Sequence, residues 1–384
     1  MRFEFATATR IVFGPGTLSE AGALVAPWGR KALVVTGAHP ERAQSLRISL
    51  DKAGVDTKVF PIEGEPTVSA VGSALKTARS YRAEFVVGFG GGSAIDAAKA
   101  VAGFLNNPGD PLDYLEVIGG GQSLSNPAAP WIAIPTTAGT GSEVTRNAVL
   151  GVPDRGVKVS LRSPHLLARI ALVDPELTLD LPPAVTAMTG MDALTQLLEA
   201  YVCNHANPLT DALCSAGLPR AARALPAVWK NPRDLNSRTD LSLSSLWSGC
   251  ALANAGLGAV HGFAAPIGGL FSAPHGAVCA ILLAPVMEMN LKVAREKTSG
   301  AATVARYSDV AYWLTGRSNA SPEDGIAWVR DLVASLGIPN LASYGITPGN
   351  VTEIVVRAKS ASSMKANPVA LNDRELADVL TRAI

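Results

Sequence analysis

Val86-Val87-Gly88-Phe89-Gly90-Gly91-Gly92-Ser93-Ala94-Ile95-Asp96-Ala97-Ala98-Lys99 is the stretch on which the reading of this chain turns. An apolar, β-branched run feeds three consecutive glycines and a serine, and small helix-forming residues follow. That order predicts a strand, a tight turn and a helix N-terminus, with Asp96 in the first helical turn. Glycines let the backbone approach a ligand closely, and the first amides of the helix have no internal partner and carry the positive end of the dipole. A phosphate or pyrophosphate suits such a seat. The spacing is neither G-x-G-x-x-G nor G-x-x-x-x-G-K-[ST], so neither dinucleotide fingerprint nor P-loop is present, and the turn alone also fits a plain strand-to-helix connection.

On either side of this turn the first half of the chain alternates. Strands are predicted at Lys31 to Thr36, Lys58 to Ile62, Trp131 to Pro135 and Ile170 to Asp174, and helices at Glu41 to Ala53 and Val68 to Tyr81. Alternation of this kind specifies a parallel sheet covered on both faces, with ligands beyond the carboxyl ends of its strands. After Pro182-Pro183 the strand patterns stop and Ala- and Leu-rich helical patterns take over. The expected organisation is an α/β domain over residues 1–180 and an all-α domain over residues 181–384, with the chemistry in the cleft between them.

Composition narrows the function. Of 384 residues, 48% are hydrophobic and 17% charged, and the formal net charge is +1, which favours a large buried core and an oligomer. No basic run offers a surface to nucleic acid or to an anionic membrane, so a small-molecule substrate is expected. Cys203, Cys214, Cys250 and Cys279 lie at no C-x-x-C spacing and read as reduced, buried thiols of a cytoplasmic protein. The N-terminus shows no basic region followed by an apolar core, so no signal peptide is expected. From Leu241 to Met287 there is no Asp, Glu, Lys or Arg, but prolines, glycines, His261 and His275 interrupt the stretch. It reads as buried helices of a globular domain, not as a membrane span.

Two further groups carry candidate chemistry. Pro135-Thr136-Thr137-Ala138-Gly139-Thr140-Gly141-Ser142-Glu143 follows a predicted strand and crowds hydroxyls and glycines where a ligand's phosphate, ribose or base could be bonded, or where an ordinary loop could form. In the helical half, Asp192 and Gln196 are four apart and share a helix face. Asp192 reads either as an N-terminal dipole partner or, with His261 and His275, as a ligand set for a divalent metal that leaves positions open. Each histidine also fits a hydrogen-bonded core group, although a polar ring in an uncharged stretch is costly to bury.

Taken together, Gly90-Gly91-Gly92-Ser93 with Asp96 and Lys99, the Pro135 to Glu143 run, Gly190-Met191-Asp192-Ala193-Leu194, Gly258-Ala259-Val260-His261 and Pro274-His275-Gly276 resemble the iron-containing (group III) alcohol dehydrogenase family, in the right order and over nearly the whole chain. The resemblance implies an N-terminal dinucleotide-binding α/β domain with a parallel sheet, a C-terminal helical domain for metal and substrate, NAD or NADP on the glycine turn, and a divalent metal, iron or zinc. It implies that Gly91, Gly92, Ser93 and Asp96 meet the pyrophosphate and the nearby nicotinamide end. Thr136, Thr137 and Thr140 would line the cofactor, Lys158 would lie near the nicotinamide ribose, and Asp192, His261 and His275 would bind the metal and serve catalysis. The implied reaction is reversible hydride transfer between the nicotinamide and a small alcohol or carbonyl substrate, in an enzyme that is a homodimer or larger homo-oligomer.

The sequence departs from the family pattern at two positions. Gln196 stands where the iron enzymes place a second ligand, a histidine four residues after the aspartate, and its neutral amide oxygen is a poorer ligand for iron. Ala265 stands four residues after His261, where a further histidine often lies near the substrate. These changes keep two alternatives open: a metal-independent reductase of the maleylacetate type, and a non-catalytic relative that binds dinucleotide. Gly37 replaces the aspartate with which NAD-preferring relatives bind the adenine ribose. Arg42 could pair with a 2′-phosphate or lie solvated, so NADP and NAD are both admitted, NADP first.

Overall fold

The computed structural model describes residues 2–116 and 118–384. They divide into two compact units, Ala6–Leu179 and Asp180–Ile384, the second joined by residues 2–5.

The first unit is built on a six-stranded sheet. Its strands are β1 (Arg10–Phe13), β2 (Lys31–Thr36), β3 (Asp56–Pro61), β4 (Phe85–Gly90), β5 (Trp131–Pro135) and β8 (Ile170–Val173), with β6 (Asn147–Val152) and β7 (Val157–Arg162) forming a separate antiparallel ribbon. The helices are α1 (Ala21–Val25), α2 (Gln44–Lys52), α3 (Val68–Tyr81) and α4 (Gly92–Leu105). The strand order is β1-β8-β5-β4-β2-β3 and every pairing is parallel. Phe85, Val86, Val87 and Phe89 of β4 are buried on both faces, as parallel strands under helices must be. Val34, Phe85, Val87, Ile132, Ile134 and Leu172 join one core cluster beneath the sheet.

From β2 the chain runs outward to β3, then returns across β2 to β4 and continues the other way. The order therefore reverses between β2 and β4, and a doubly wound sheet opens its ligand crevice at such a point, beyond the strands' carboxyl ends. The residues that follow these two strands are Gly37 and Gly91.

The predicted elements fall close to the observed ones, with three differences. The first turn expected of a helix at Glu41 is a 3-10 turn over Pro40–Ala43, and α2 begins at Gln44. Strand β3 starts two residues early because it is a sheet edge with alternating exposure instead of an apolar run. Helix α4 starts at Gly92, so Asp96 lies beyond its first turn, which holds no acidic residue.

The second unit is helical: α5 (Pro183–Val202), α6 (Pro208–Lys230), α7 (Leu235–Asn254), α8 (Ala259–Leu270), α9 (His275–Glu296), α10 (Ala301–Thr315), α11 (Pro322–Ser335), α12 (Val351–Ser360), α13 (Ser362–Lys365) and α14 (Asp373–Ala383). Helix α5 packs against α6, α7 and α9, and α8 against α9, α12 and α13. Because neighbours surround it, α5 is buried from Gly190 to Val202, including Asp192, Thr195, Gln196 and Glu199. Helix α9 is long and apolar enough to cross a membrane, yet 89% of its most apolar window is buried within the protein. The part of the uncharged stretch that lies in α9 is thus core helix.

Candidate active site

In the α/β unit the turn between β4 and α4 is shaped by its glycines. Gly90 has φ +153, and a Cβ there would stand 2.7 Å from the Ala94 Cβ and 3.3 Å from the Gly37 backbone nitrogen. Gly88 lets α4 lie against β4, since a Cβ would stand 2.8 Å from that of Ala98. Gly91 is the N-cap, and no side chain caps the helix, so the amides at Gly92, Ser93 and Ala94 head a free N-terminus of positive dipole. The Thr136 amide donates to the Gly90 carbonyl over 2.9 Å, which ties the end of β5 to the turn. Thr137 lies 3.4 Å from the site of a Gly91 Cβ, and Thr140 2.9 Å from that of a Gly92 Cβ. Gly37, Gly91, Gly92, Ser93, Thr136, Thr137 and Thr140 are therefore one locality.

Asp96 and Lys158 are committed elsewhere. One Asp96 oxygen accepts from the Ser142 hydroxyl and from Lys99 Nζ at 3.4 Å, and the other accepts from the Val149 amide at 2.9 Å. Asp96 thereby fastens α4 to the β6 ribbon. Lys99 is fully buried and also donates to Thr145 Oγ1 and the Asn147 carbonyl at 2.9 and 2.6 Å, while burial lowers its pKa. Lys158 on β7 donates to the Glu65 carboxylate over 2.6 Å. Arg42 is exposed on its 3-10 turn.

In the helical unit α5, α8 and α9 bring four side chains to one point. Asp192 comes from α5, His261 from α8, and His275 and Cys279 from α9, and one donor atom from each lies within 4.8 Å of all the others. Asp192 Oδ1 is 3.3 Å from His261 Nε2 and 3.6 Å from His275 Nε2. Cys279 Sγ is 3.7 Å from each imidazole Nε2. Asp192, His261 and Cys279 are buried, whereas 42% of the His275 side chain is exposed, so the cluster meets solvent on that side.

Glu199, two turns along α5 from Asp192, orients His261. The imidazole Nδ1–H donates to Glu199 Oε2 over 2.6 Å, which favours the tautomer whose Nε2 could offer a lone pair to an ion in the cluster. The same carboxylate accepts from the Val260 amide at 2.8 Å, and Asn367 Oδ1 accepts from the Ala259 amide at 3.1 Å, so the open N-terminus of α8 is satisfied. Burial pushes the Asp192 carboxyl up, but the imidazoles of His275 and His261 hold it below its ordinary value. The Cys279 thiol is likewise held down by both imidazoles against its burial.

Gln196 lies one turn beyond Asp192, and its amide oxygen accepts from the Ser248 hydroxyl over 2.7 Å. Ala265 is exposed one turn beyond His261. Glu199 and Cys279 are the members that reading the sequence left without a role. Their signals were present as the i, i+7 relation of Glu199 to Asp192 and the i, i+4 relation of Cys279 to His275.

A model of the iron-containing alcohol dehydrogenases matches residues 8–175, and a model of the C-terminal region of the Fe-containing alcohol dehydrogenase family matches residues 186–384. The chain belongs to the iron-containing alcohol dehydrogenase family. It is similar to choline dehydrogenase of Bacillus subtilis, 32% identical over 375 residues, covering 96% of this chain and 92% of the other. It is also similar to 1,3-propanediol dehydrogenase of Klebsiella pneumoniae, 33% identical over 394 residues and covering 99% and 98%. The crystal structure of a 1,3-propanediol oxidoreductase superposes with a TM-score of 0.93 at 31% identity, over 100% of both chains. As a member of the iron-containing alcohol dehydrogenases the chain is an oxidoreductase of alcohols and carbonyls that uses NAD(P) and a divalent metal. This family setting disfavours the metal-independent reductase and the non-catalytic binder.

Proposed function

We propose that this alcohol dehydrogenase interconverts a small alcohol and its carbonyl compound, with the dinucleotide on the β4–α4 turn and the metal held by Asp192, His261 and His275. Residues 1–180 then form the cofactor domain and residues 181–384 the metal and substrate domain. The observation that carries this reading is the convergence of one carboxylate and two imidazoles from three helices, a donor set fit for a divalent ion. Bound there, the ion supplies Lewis-acid stabilisation of the substrate oxygen as it gains alkoxide character.

The chain's own residues do the positioning. Glu199 fixes the tautomer of His261, so that a lone pair and not a proton faces the site. The amides of Gly92, Ser93 and Ala94 meet the pyrophosphate, and Thr136, Thr137 and Thr140 lie beside it, which presents the nicotinamide in a fixed orientation. Lys158 reaches the nicotinamide ribose on leaving Glu65, while Asp96 supports the turn through α4. Gln196 contributes a neutral amide oxygen at most, from a side chain hydrogen-bonded with Ser248. NAD and NADP both fit, since Gly37 places no carboxylate against a 2′-phosphate. The enzyme acts as a homodimer or larger homo-oligomer in the cytoplasm, a reading supported by its low charge content and by cysteines that are all buried.

Elemental analysis of the purified protein, with NADH and NADPH oxidation by an aldehyde panel before and after chelation, tests the proposal. Near-stoichiometric metal and chelator-sensitive turnover are expected, and Asp192→Ala should lose the metal and at least about a hundredfold in kcat, the several kcal/mol such an ion supplies. Full turnover of Asp192→Ala after chelation would refute it.

A further inference from the structure

We propose that Cys279 is a metal ligand, taking as a thiolate the place left by the histidine that Gln196 replaces, and that the resulting Asp-His-His-Cys set selects zinc over iron. This rests on the metal reading above and deepens it.

Geometry is the first support. Zinc bound tetrahedrally at about 2.3 Å from sulfur and about 2.0–2.1 Å from nitrogen and oxygen sets its ligands about 3.4 Å apart for an N···O edge and about 3.6 Å apart for an S···N edge. The two imidazole-to-Asp192 separations are 3.3 and 3.6 Å, and the two from Cys279 Sγ to the imidazoles are both 3.7 Å. Four of the six edges of a zinc tetrahedron are therefore already laid out, with a single oxygen of Asp192 serving both imidazoles.

The second support is what each candidate for the fourth position is doing. The Gln196 amide is hydrogen-bonded with the Ser248 hydroxyl, which holds its side chain toward α7. The Cys279 sulfur contacts His261 and His275 and lies within 4.8 Å of the Asp192 donor oxygen. Its position on α9, one turn beyond His275, puts both side chains on one helix face, so a single rigid element supplies two donors. A neutral amide adds little to the binding of a divalent cation, whereas a thiolate adds charge and softness, which zinc accepts readily. Binding releases the thiol proton to solvent, and the two histidines bind as neutral imidazoles. Two anionic and two neutral ligands would then balance the dication, and the exposed side of His275 would leave the substrate an approach to it.

Cobalt(II) replaces zinc in such sites and reports its ligands by absorption. The full-length enzyme, stripped by chelator and given one equivalent of cobalt(II), should show intense visible bands together with a sulfur-to-cobalt charge-transfer band in the near ultraviolet. The charge-transfer band should vanish in Cys279→Ser and persist in Gln196→Ala. In competition for the stripped protein, zinc should outcompete ferrous iron, and Cys279→Ser should narrow that preference at least tenfold. Bound cobalt without a charge-transfer band in the unaltered enzyme would overturn the role of Cys279 and leave the metal reading standing. A band surviving Cys279→Ser would also overturn it, and failure to bind cobalt or zinc at all would defeat both readings.

Discussion

His261 can offer its Nε2 lone pair only because its other nitrogen is engaged by a carboxylate. Glu199 accepts the Nδ1 proton at 2.6 Å and the Val260 amide at 2.8 Å, so one side chain sets both the tautomer of the ring and the start of the helix that carries it. Glu199→Gln separates these roles. The amide oxygen still accepts from the Val260 backbone, so α8 should keep its place, but the imidazole loses a charged partner that raises its basicity. Metal affinity should fall by about 10- to 100-fold, the usual consequence of removing such an outer partner. Chelator competition for zinc measures this, beside a melting curve of the stripped protein that should barely move. Unchanged affinity would mean that Glu199 serves α8 alone.

At the scale of elements, the proposed seat for the dinucleotide depends on how closely α4 follows β4. Gly90 holds φ +153 with Ala94 packed where a side chain would go, so Gly90→Ala forces the first turn of α4 outward and misdirects its amides. The variant should lose about 1–3 kcal/mol of stability through strain and overpacking and more than about tenfold in NADH affinity. Denaturant titration and NADH fluorescence read these out, with metal content unchanged; normal NADH binding would mean that the amides are not the seat. This strand-turn-helix was legible in the sequence because its determinants are local: a β-branched run, three glycines and small helix formers. The ribbon β6–β7 was not: Val157–Arg162 alternates apolar and polar residues and Asn147–Val152 is a short run broken by Gly151, so neither reads as a strand of the buried parallel sheet. Cys279 was hidden for a different reason. A cysteine in an uncharged stretch has the composition of a small core residue, and only the approach of α5 and α8 to α9 reveals what its sulfur faces. Asp96 lies outside the first turn expected for it because the helix opens at Gly92, and its bond to the β6 ribbon was not legible because the ribbon was itself unseen.

At the scale of the whole molecule, the two proposed ligand sites belong to different units. Asp192, Glu199, His261, His275 and Cys279 all lie in Asp180–Ile384, and the glycine turn with its threonines lies in Ala6–Leu179. Anything that binds the native state stabilises it by mass action, about 4 kcal/mol at a thousandfold excess over Kd, and local opening reports where that stabilisation is felt. A metal held by Asp192, His261 and His275, with Cys279 as the proposed fourth ligand, would close contacts among α5, α8 and α9 whose sequence separations are long, from position 192 to 261 and on to 279, so it would act on the packing of those helices and not on one segment. Hydrogen exchange should therefore separate the two ligands. Chelation should speed exchange in α5, α8 and α9, by up to about a thousandfold for amides that need the helices to part, and leave β4 and α4 nearly unchanged. NADH should slow exchange at Gly92 to Ile95 in the metal-free protein as well as in the loaded one. If chelation loosened β4 and α4 as strongly as α5 and α8, the metal would be organising the entire chain, and the dinucleotide seat would depend on it.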